Sequence, residues 1–280
     1  MPRAAPETTG AHDLHALAIE AARAGAAAIR AVCKDALPGL DGQASADPNR
    51  LAVTVKDGVE DFVTAADLAA EEAIVATIRA TRPDDRIVAE ESGVENGSSD
   101  VCWYIDPIDG TANFIAGKPD YAVSIAAHRG GEPEAAVVYR PADQTWLATA
   151  PHDRLQGNLA YGLNAPASLA AAEVSLSRPH EPARRHEAMA LRDALLPLVA
   201  LERRVGSAAC ALLEVTTGRL DAYVSVDLPP WDTAAGHRLV ETAGGCVRVV
   251  RVPSGHPVSI AAAPALADLL AALVSGTPGS

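Results

Sequence analysis

Several things are scarce in this 280-residue chain, and each scarcity removes a class of function. Lysine occurs three times, and Asp and Glu outnumber Lys and Arg by 36 to 23, giving a formal net charge of −13. Nucleic-acid binding rests on clustered positive charge, so no nucleic-acid partner is expected. The four cysteines, Cys33, Cys102, Cys210 and Cys246, form no CxxC or Cys/His zinc spacing. Each stands in an apolar context and reads as a buried free thiol, in keeping with a reducing compartment. No apolar run approaches the ~20 residues of a membrane span. The opening MPRAAPETTGAHD has neither the apolar core nor the cleavage pattern of a signal peptide. The expectation is a soluble cytoplasmic protein with no membrane partner. GxxxxGK[ST], GxGxxG and GxSxG are absent, and the eight histidines make no HExxH or HxH group. Nucleotide-dependent kinases, dinucleotide enzymes and serine hydrolases are thus unsupported.

What is present is a core-forming composition, 49% hydrophobic and 21% charged, long enough for one large domain or two modest ones. Residues 1–12 read as a disordered leader. Apolar positions recur at helical spacing from Asp13 to Lys34, residues 35–50 read as a loop, and Leu51–Lys56 alternates as a short strand. Thr64 and Asp67 form a capping-box-like start to a helix over Ala65–Ala80. A strand follows over Arg86–Ala89. Tyr121–Arg129 and Glu134–Tyr139 flank a Gly130-Gly131 turn as a hairpin, with a third strand over Gln144–Ala150. The second half alternates. Strands are expected at Glu173–Ser177, Arg203–Val205, Ala222–Val226, Cys246–Val250 and Val258–Ala262. Helices are expected at Arg185–Leu198, Ala208–Thr217, Thr233–Ala243 and Pro264–Val274. The pattern is a layered mix of α+β and α/β architecture. A boundary near residue 160 would divide a 13–160 α+β domain from a 161–280 α/β domain.

The stretch VCWYIDPIDGT, Val101–Thr111, concentrates chemistry. A strand over Val101–Ile105 delivers Asp106, Pro107 is expected to stop it, Asp109-Gly110 turns the chain and Thr111 opens a helix. Two carboxylates three residues apart, with the Ile108 carbonyl between them, offer the oxygen ligands that hard divalent cations need. A helix start offers N–H groups to a phosphate. Other acids stand at strand ends or helix starts: Asp67, the Glu90-Glu91 pair and Asp232 in PPWDTAAG. Singly, each reads better as a helix cap or a solvated turn. Gathered, they would repel one another unless a cation neutralised them. An aspartyl nucleophile of the haloacid-dehalogenase type needs D-x-D, and an EF-hand needs further acids after Asp106; neither pattern is met.

Together, Asp67 in DFVTAAD, the EES at Glu90–Ser92, DPIDGTANF at Asp106–Phe114 and WDTAAG at Trp231–Gly236 resemble the inositol monophosphatase family, the lithium-sensitive, Mg²⁺-dependent phosphatases. The resemblance runs from about Leu14 to Val250. It implies an αβαβα sandwich of the sugar-phosphatase type, a homodimer, two or three Mg²⁺ ions and a small phosphorylated substrate. Glu90, Asp106 and the Ile108 carbonyl would hold one ion, and Asp106, Asp109 and Asp232 a second. Asp67, near a third, would act with Thr111 on the attacking water. Asp67, Glu90 and Thr111 are thus the implied catalytic residues. Substrate contacts fall on Asp109, Gly110, Thr111, Ala112, Gly206, Ser207, Ser225 and Asp232. Lys56 falls where the family often has a lysine. Two departures stand out. Ala89 replaces a frequent glycine, and Ser225 occupies a position where inositol-phosphate enzymes usually carry glutamate. The substrate is therefore a polyol, sugar or nucleoside phosphate, with the bisphosphate-nucleotidase branch as an alternative. A non-catalytic, metal-dependent regulator on the same fold is the reading from a different class.

Overall fold

The computed structural model describes residues 13–36, 54–55, 62–252 and 254–276. The leader expected over residues 1–12 lies outside them, as do Lys56 and most of the expected loop over 35–50. The chain opens with α1 (Leu14–Ala36), then two short paired strands, β1 (Thr54–Val55) and β2 (Phe62–Val63), and α2 (Ala65–Thr81). A seven-stranded sheet follows: β3 (Arg86–Ala89), β4 (Gly93–Glu95), β5 (Val101–Asp109), then the short helix α3 (Thr111–Ile115), and β6 (Ala122–Arg129), β7 (Glu132–Arg140), β8 (Thr145–Ala150) and β9 (Arg154–Gly157). Its spatial order is β4-β3-β5-β6-β7-β8-β9. The second half supplies β10 (Glu173–Leu176), α4 (Pro182–Leu195), β11 (Leu201–Glu202), α5 (Ala208–Thr216), β12 (Ala222–Val226), α6 (Pro230–Thr242), β13 (Cys246–Arg251), β14 (Pro257–Ala262) and α7 (Pro264–Gly276). Its five strands are ordered β11-β10-β12-β14-β13.

Three apolar cores stack these elements into layers. In the first, Ala18, Ala21, Ala22 and Ala26 of α1 and Ala70, Ile74 and Ile78 of α2 cover Trp103, Ile105, Ile125 and Val137 of the large sheet. The small residues let the two helices close up: a Cβ on Gly25 would sit 2.7 Å from the Ile74 side chain. The second core lies between the sheets. There α5 and α6 pack Leu212, Leu213, Leu239 and Val240 against Ala126, Ala136 and Val138 on one side and Tyr223 and Ala261 on the other. The third places α4 and α7 over Val174, Val224 and Ile260. The order is helix, sheet, helix, sheet, helix, the expected αβαβα sandwich.

Strand β5 departs from expectation in a way that matters. Pro107 does not end it; the strand continues to Asp109. Asp106 pairs with Ser124 and Asp109 with Ala122, so two residues of β5 face one of β6. This is a bulge, the place where a strand tolerates proline and its missing N–H. The extra residue resets the two-residue alternation, so Asp106 and Asp109, three apart, share one face. The Asp106 carboxylate accepts the Ile108 N–H at 3.0 Å and braces the bulge.

Other differences are at edges. The strand expected over Arg203–Val205 lies earlier, at Leu201–Glu202. Helix α6 starts one turn before Thr233, at Pro230. Of the four thiols, all free, only Cys210 is fully buried; Cys33, Cys102 and Cys246 are half-buried. No described helix is long and apolar enough to cross a membrane.

Candidate metal centre

Pairing sets the centre. Strands β3 and β5 run parallel, Ala89 opposite Ile105, and the Glu90 N–H continues the ladder to the Ile105 carbonyl at 3.1 Å. Glu90 therefore leaves β3 beside Asp106. On the other flank, the Ser124 hydroxyl, on the residue opposite Asp106, donates to the Trp231 carbonyl at 3.0 Å. That bond seats the first turn of α6, with Asp232, over the same spot. The carboxylates of Glu90, Asp109 and Asp232 all push Asp106 up by repulsion, on top of the larger effect of burial. Asp232 is raised in the same way, by burial first and then by Asp109 and Glu90.

Asp67 approaches from α2. The capping box is present: the Thr64 N–H and hydroxyl donate to Asp67 Oδ2 at 2.8 and 2.5 Å. Its other oxygen, Oδ1, is 3.3 Å from the Thr111 hydroxyl, which also lies 3.0 Å from the Ile108 carbonyl. The cap and the link to Thr111 thus use different oxygens. Burial lifts Asp67 to about 6, against the opposing Thr64 hydrogen bonds. Asp109 is also lifted by burial to about 6, while Ser207 and the Ala209 N–H, at 2.6 Å, hold it down by donating to its Oδ2.

Glycine is required at two turns. Gly110 has φ +94°, and a Cβ there would meet the Asp120 carbonyl at 2.9 Å and Ser207 at 3.0 Å. Gly206 has φ +80° against the Asn113 amide. Asn113, buried, ties the pieces by donating to the Asp120 and Val205 carbonyls, both at 2.8 Å. Ser207 caps α5 by accepting the Cys210 N–H at 3.1 Å. Gly110, Thr111, Gly206 and Ser207 are thereby assembled around Asp109, and Ala112 is exposed at the start of α3.

Ser225 is placed differently. It is 1% exposed inside β12, its hydroxyl 2.6 Å from that of Ser259 on β14. Asp227 has φ +43° and is bound to Arg184 at 2.9 Å and His256 at 3.2 Å. His237 faces inward along α6, and burial lowers its pKa to about 4.

The donor set suits a hard dication. Among its carboxylate neighbours Glu90 raises Asp106 the most, and like charges held this close need a proton or a cation. The Ile108 carbonyl keeps a second lone pair beyond the one Thr111 takes. Oxygen-only, carboxylate-rich ligation is the preference of Mg²⁺. Among the described residues no three acidic, His or Cys side chains already close on one point.

Two residues outside the sequence expectation support the centre. Glu71 accepts the Glu91 and Ser92 N–H groups, and buried Asp85 accepts from Arg82, Ser99 and the Trp103 indole. No local spacing marks Glu71, whose partners lie 20 and 21 residues away, and for Asp85 the local pair with Arg82 does not reveal Ser99 and Trp103, 14 and 18 residues away.

The chain resembles known proteins over most of its length. The chain is 38% identical over 197 residues to Nus factor SuhB of Pasteurella multocida, covering 69% of this chain and 74% of that protein. To Nus factor SuhB of Escherichia coli K12 it is 40% identical over 200 residues, covering 68% and 72%. Mycobacterium tuberculosis SuhB superposes with a TM-score of 0.75 at 30% identity, over 95% of this chain and 97% of that one. The inositol monophosphatase of Anabaena (Nostoc) sp. PCC 7120 gives 0.76 at 28% identity, over 95% and 96%. A profile of the inositol monophosphatase family matches residues 11–276, and the chain belongs to that family.

Proposed function

We propose that this protein is a Mg²⁺-dependent phosphomonoesterase that hydrolyses a small polyol, sugar or nucleoside phosphate by direct attack of water. The observation that carries the reading is the gathering of Glu90, Asp106, Asp109 and Asp232 on one face, with the Thr111–Asp67 contact beside them. Glu90, Asp106, Ile108, Asp109, Asp232 and Asp67 would hold two or three ions. When bound, Mg²⁺ supplies charge neutralisation and polarisation of the phosphoryl group.

The chain's own residues do the rest. With its single proton turned from the Ile108 carbonyl to Asp67, the Thr111 hydroxyl keeps lone pairs with which to orient a water, and Asp67 accepts the proton. Thr111 is a relay, not a nucleophile, so no phosphoenzyme forms. Gly110 N–H and its neighbours at the start of α3 would receive phosphate oxygens. The sealed Ser225 hydroxyl removes that position from recognition of the alcohol and leaves the segments flanking α5 and β12 within 206–230 to read it. The family also implies a homodimer and inhibition by lithium, to be read by sedimentation and by LiCl titration of activity.

A second reading has an observation of its own: several relatives are named Nus factors. It makes this chain a metal-dependent regulatory protein on the same fold. Phosphate release with and without Mg²⁺ separates the two. The panel would hold inositol 1-phosphate, fructose 1,6-bisphosphate, histidinol phosphate, adenosine 3′,5′-bisphosphate and nucleoside 5′-monophosphates. A Mg²⁺-dependent hit supports the enzyme; silence from well-folded protein supports the regulator.

A further inference from the structure

We infer that Glu71 is a positioning residue for the metal centre: its carboxylate sets the turn that presents Glu90 and locks that turn to the helix bearing Asp67. The inference rests on the metal centre proposed above.

Three successive N–H groups fix the Glu90–Ser92 turn. That of Glu90 goes to the Ile105 carbonyl of β5 at 3.1 Å. Those of Glu91 and Ser92 go to the two oxygens of Glu71, at 2.9 and 2.8 Å. Glu71 is 5% exposed. Placing a carboxylate there is costly unless it is filled, and two main-chain donors to one charged group make strong, directional bonds. Glu71 follows Asp67 by four residues on α2, so the two acids stand one turn apart on the same face. Ala70 and Ile74, both fully buried, fasten that helix to the first core. One rigid element thus holds Asp67 against Thr111 and the Glu90 turn against β5. A shift of the turn would move Glu90 away from Asp106 without disturbing Asp67.

A solvent-open groove of about 370 Å³, lined by Leu68, Glu71, Val75 and Ser92 among others, borders the junction. Water entering from it can satisfy the freed N–H groups, so truncation of Glu71 is compatible with folding.

The test is cation binding rather than turnover: MgCl₂ titration by calorimetry, and Mn²⁺ as a spin probe, on wild type, Glu71→Gln and Glu71→Ala. Groups that orient a metal ligand typically govern 10–100-fold in affinity. Glu71→Ala is expected to weaken Mg²⁺ binding at least about tenfold. Glu71→Gln, isosteric but with one acceptor oxygen, should fall between it and wild type. At saturating Mg²⁺, kcat should stay within a few-fold, because Asp67 and Thr111 are untouched. Should Glu71→Ala fail to fold, the Gln variant carries the test. Unchanged affinity for both ions in every folded variant, even with a lowered thermal transition, would make the role structural and overturn the inference. A wild type that binds neither ion would instead refute the metal centre itself, and the inference with it.

Discussion

Asp85 lies just before β3 and accepts from Trp103 of β5, the two strands that deliver Glu90 and Asp106, and removing it should be costly. Its carboxylate, 1% exposed, accepts the Arg82 Nε–H at 2.6 Å and Nη2–H at 2.9 Å, the Ser99 hydroxyl at 2.6 Å and the Trp103 indole N–H at 2.8 Å. Asp85→Ala leaves the indole of a wholly buried tryptophan without that acceptor and a poorly exposed guanidinium without its partner. An unsatisfied buried donor costs roughly 1–3 kcal/mol, and breaking a buried ion pair roughly 3–5 kcal/mol. Because these overlap, about 3–5 kcal/mol is expected, or a fall in Tm of roughly 5–9 °C for a chain of this size.

The pH dependence carries a sign. Burial raises the Asp85 pKa, but the Arg82, Ser99 and Trp103 hydrogen bonds outweigh it and leave the group below its ordinary value. A depressed carboxylate stabilises the fold fully above its unfolded pKa, near 4, and the contribution is lost as pH falls through the folded pKa. Guanidinium denaturation of wild type and Asp85→Ala should therefore show the full difference at pH 7 and a shrinking one below about pH 4. A variant within 1 kcal/mol of wild type at pH 7, or a difference that grows on acidification, would refute the reasoning.

Further expectations test other parts of the account. His237, with its pKa lowered to about 4 by burial, stays neutral in the fold while the unfolded chain takes up a proton near pH 6.5. The His237 contribution should therefore fall from about pH 6.5 towards 4, by at most about 3 kcal/mol, so in urea titrations the stability of wild type relative to His237→Gln should decline over that window. A Cβ at Gly236 would lie 2.4 Å from the Leu212 Cβ. Gly236→Ala should cost roughly 1–3 kcal/mol in urea denaturation; a variant as stable as wild type would contradict the α5–α6 contact. Thr111→Ala should lower kcat by about 10²–10⁴ with circular dichroism and Tm little changed; near-normal turnover would remove Thr111 from the water relay.

Much of the fold was legible locally. The strands Arg86–Ala89 and Ala222–Val226 and the starts of α2, α5 and α7 follow from hydrophobic period and capping residues, which act within a few positions. What escaped depends on tertiary pairing. Pro107 reads as a strand end because a proline cannot donate to a ladder; only the β6 partner reveals that it occupies a bulge, and that Asp106 and Asp109 thereby share a face. Strands β4, β9 and β11, of two to four residues, exist because a neighbour supplies their partners. Glu71 and Asp85 carry no motif of their own in the sequence. Their roles come from groups 14 to 21 residues distant in sequence. Ser225 marked a departure from the family pattern, but its pairing with Ser259 needed the β12–β14 register.

The most direct test of the central claim compares wild type with Asp232→Asn for Mg²⁺-dependent phosphate release, using the best substrate of the panel. Asp232 is the one candidate ligand brought from α6 in the second half of the chain. Its loss should remove one acid from the centre while leaving Asp67 and Thr111 in place. The expected result is release by wild type only with Mg²⁺, and a loss of about 100-fold or more in kcat/KM for the variant, from several kcal/mol of lost charge stabilisation. Equal release by both proteins, or release by wild type that ignores Mg²⁺, would contradict the account.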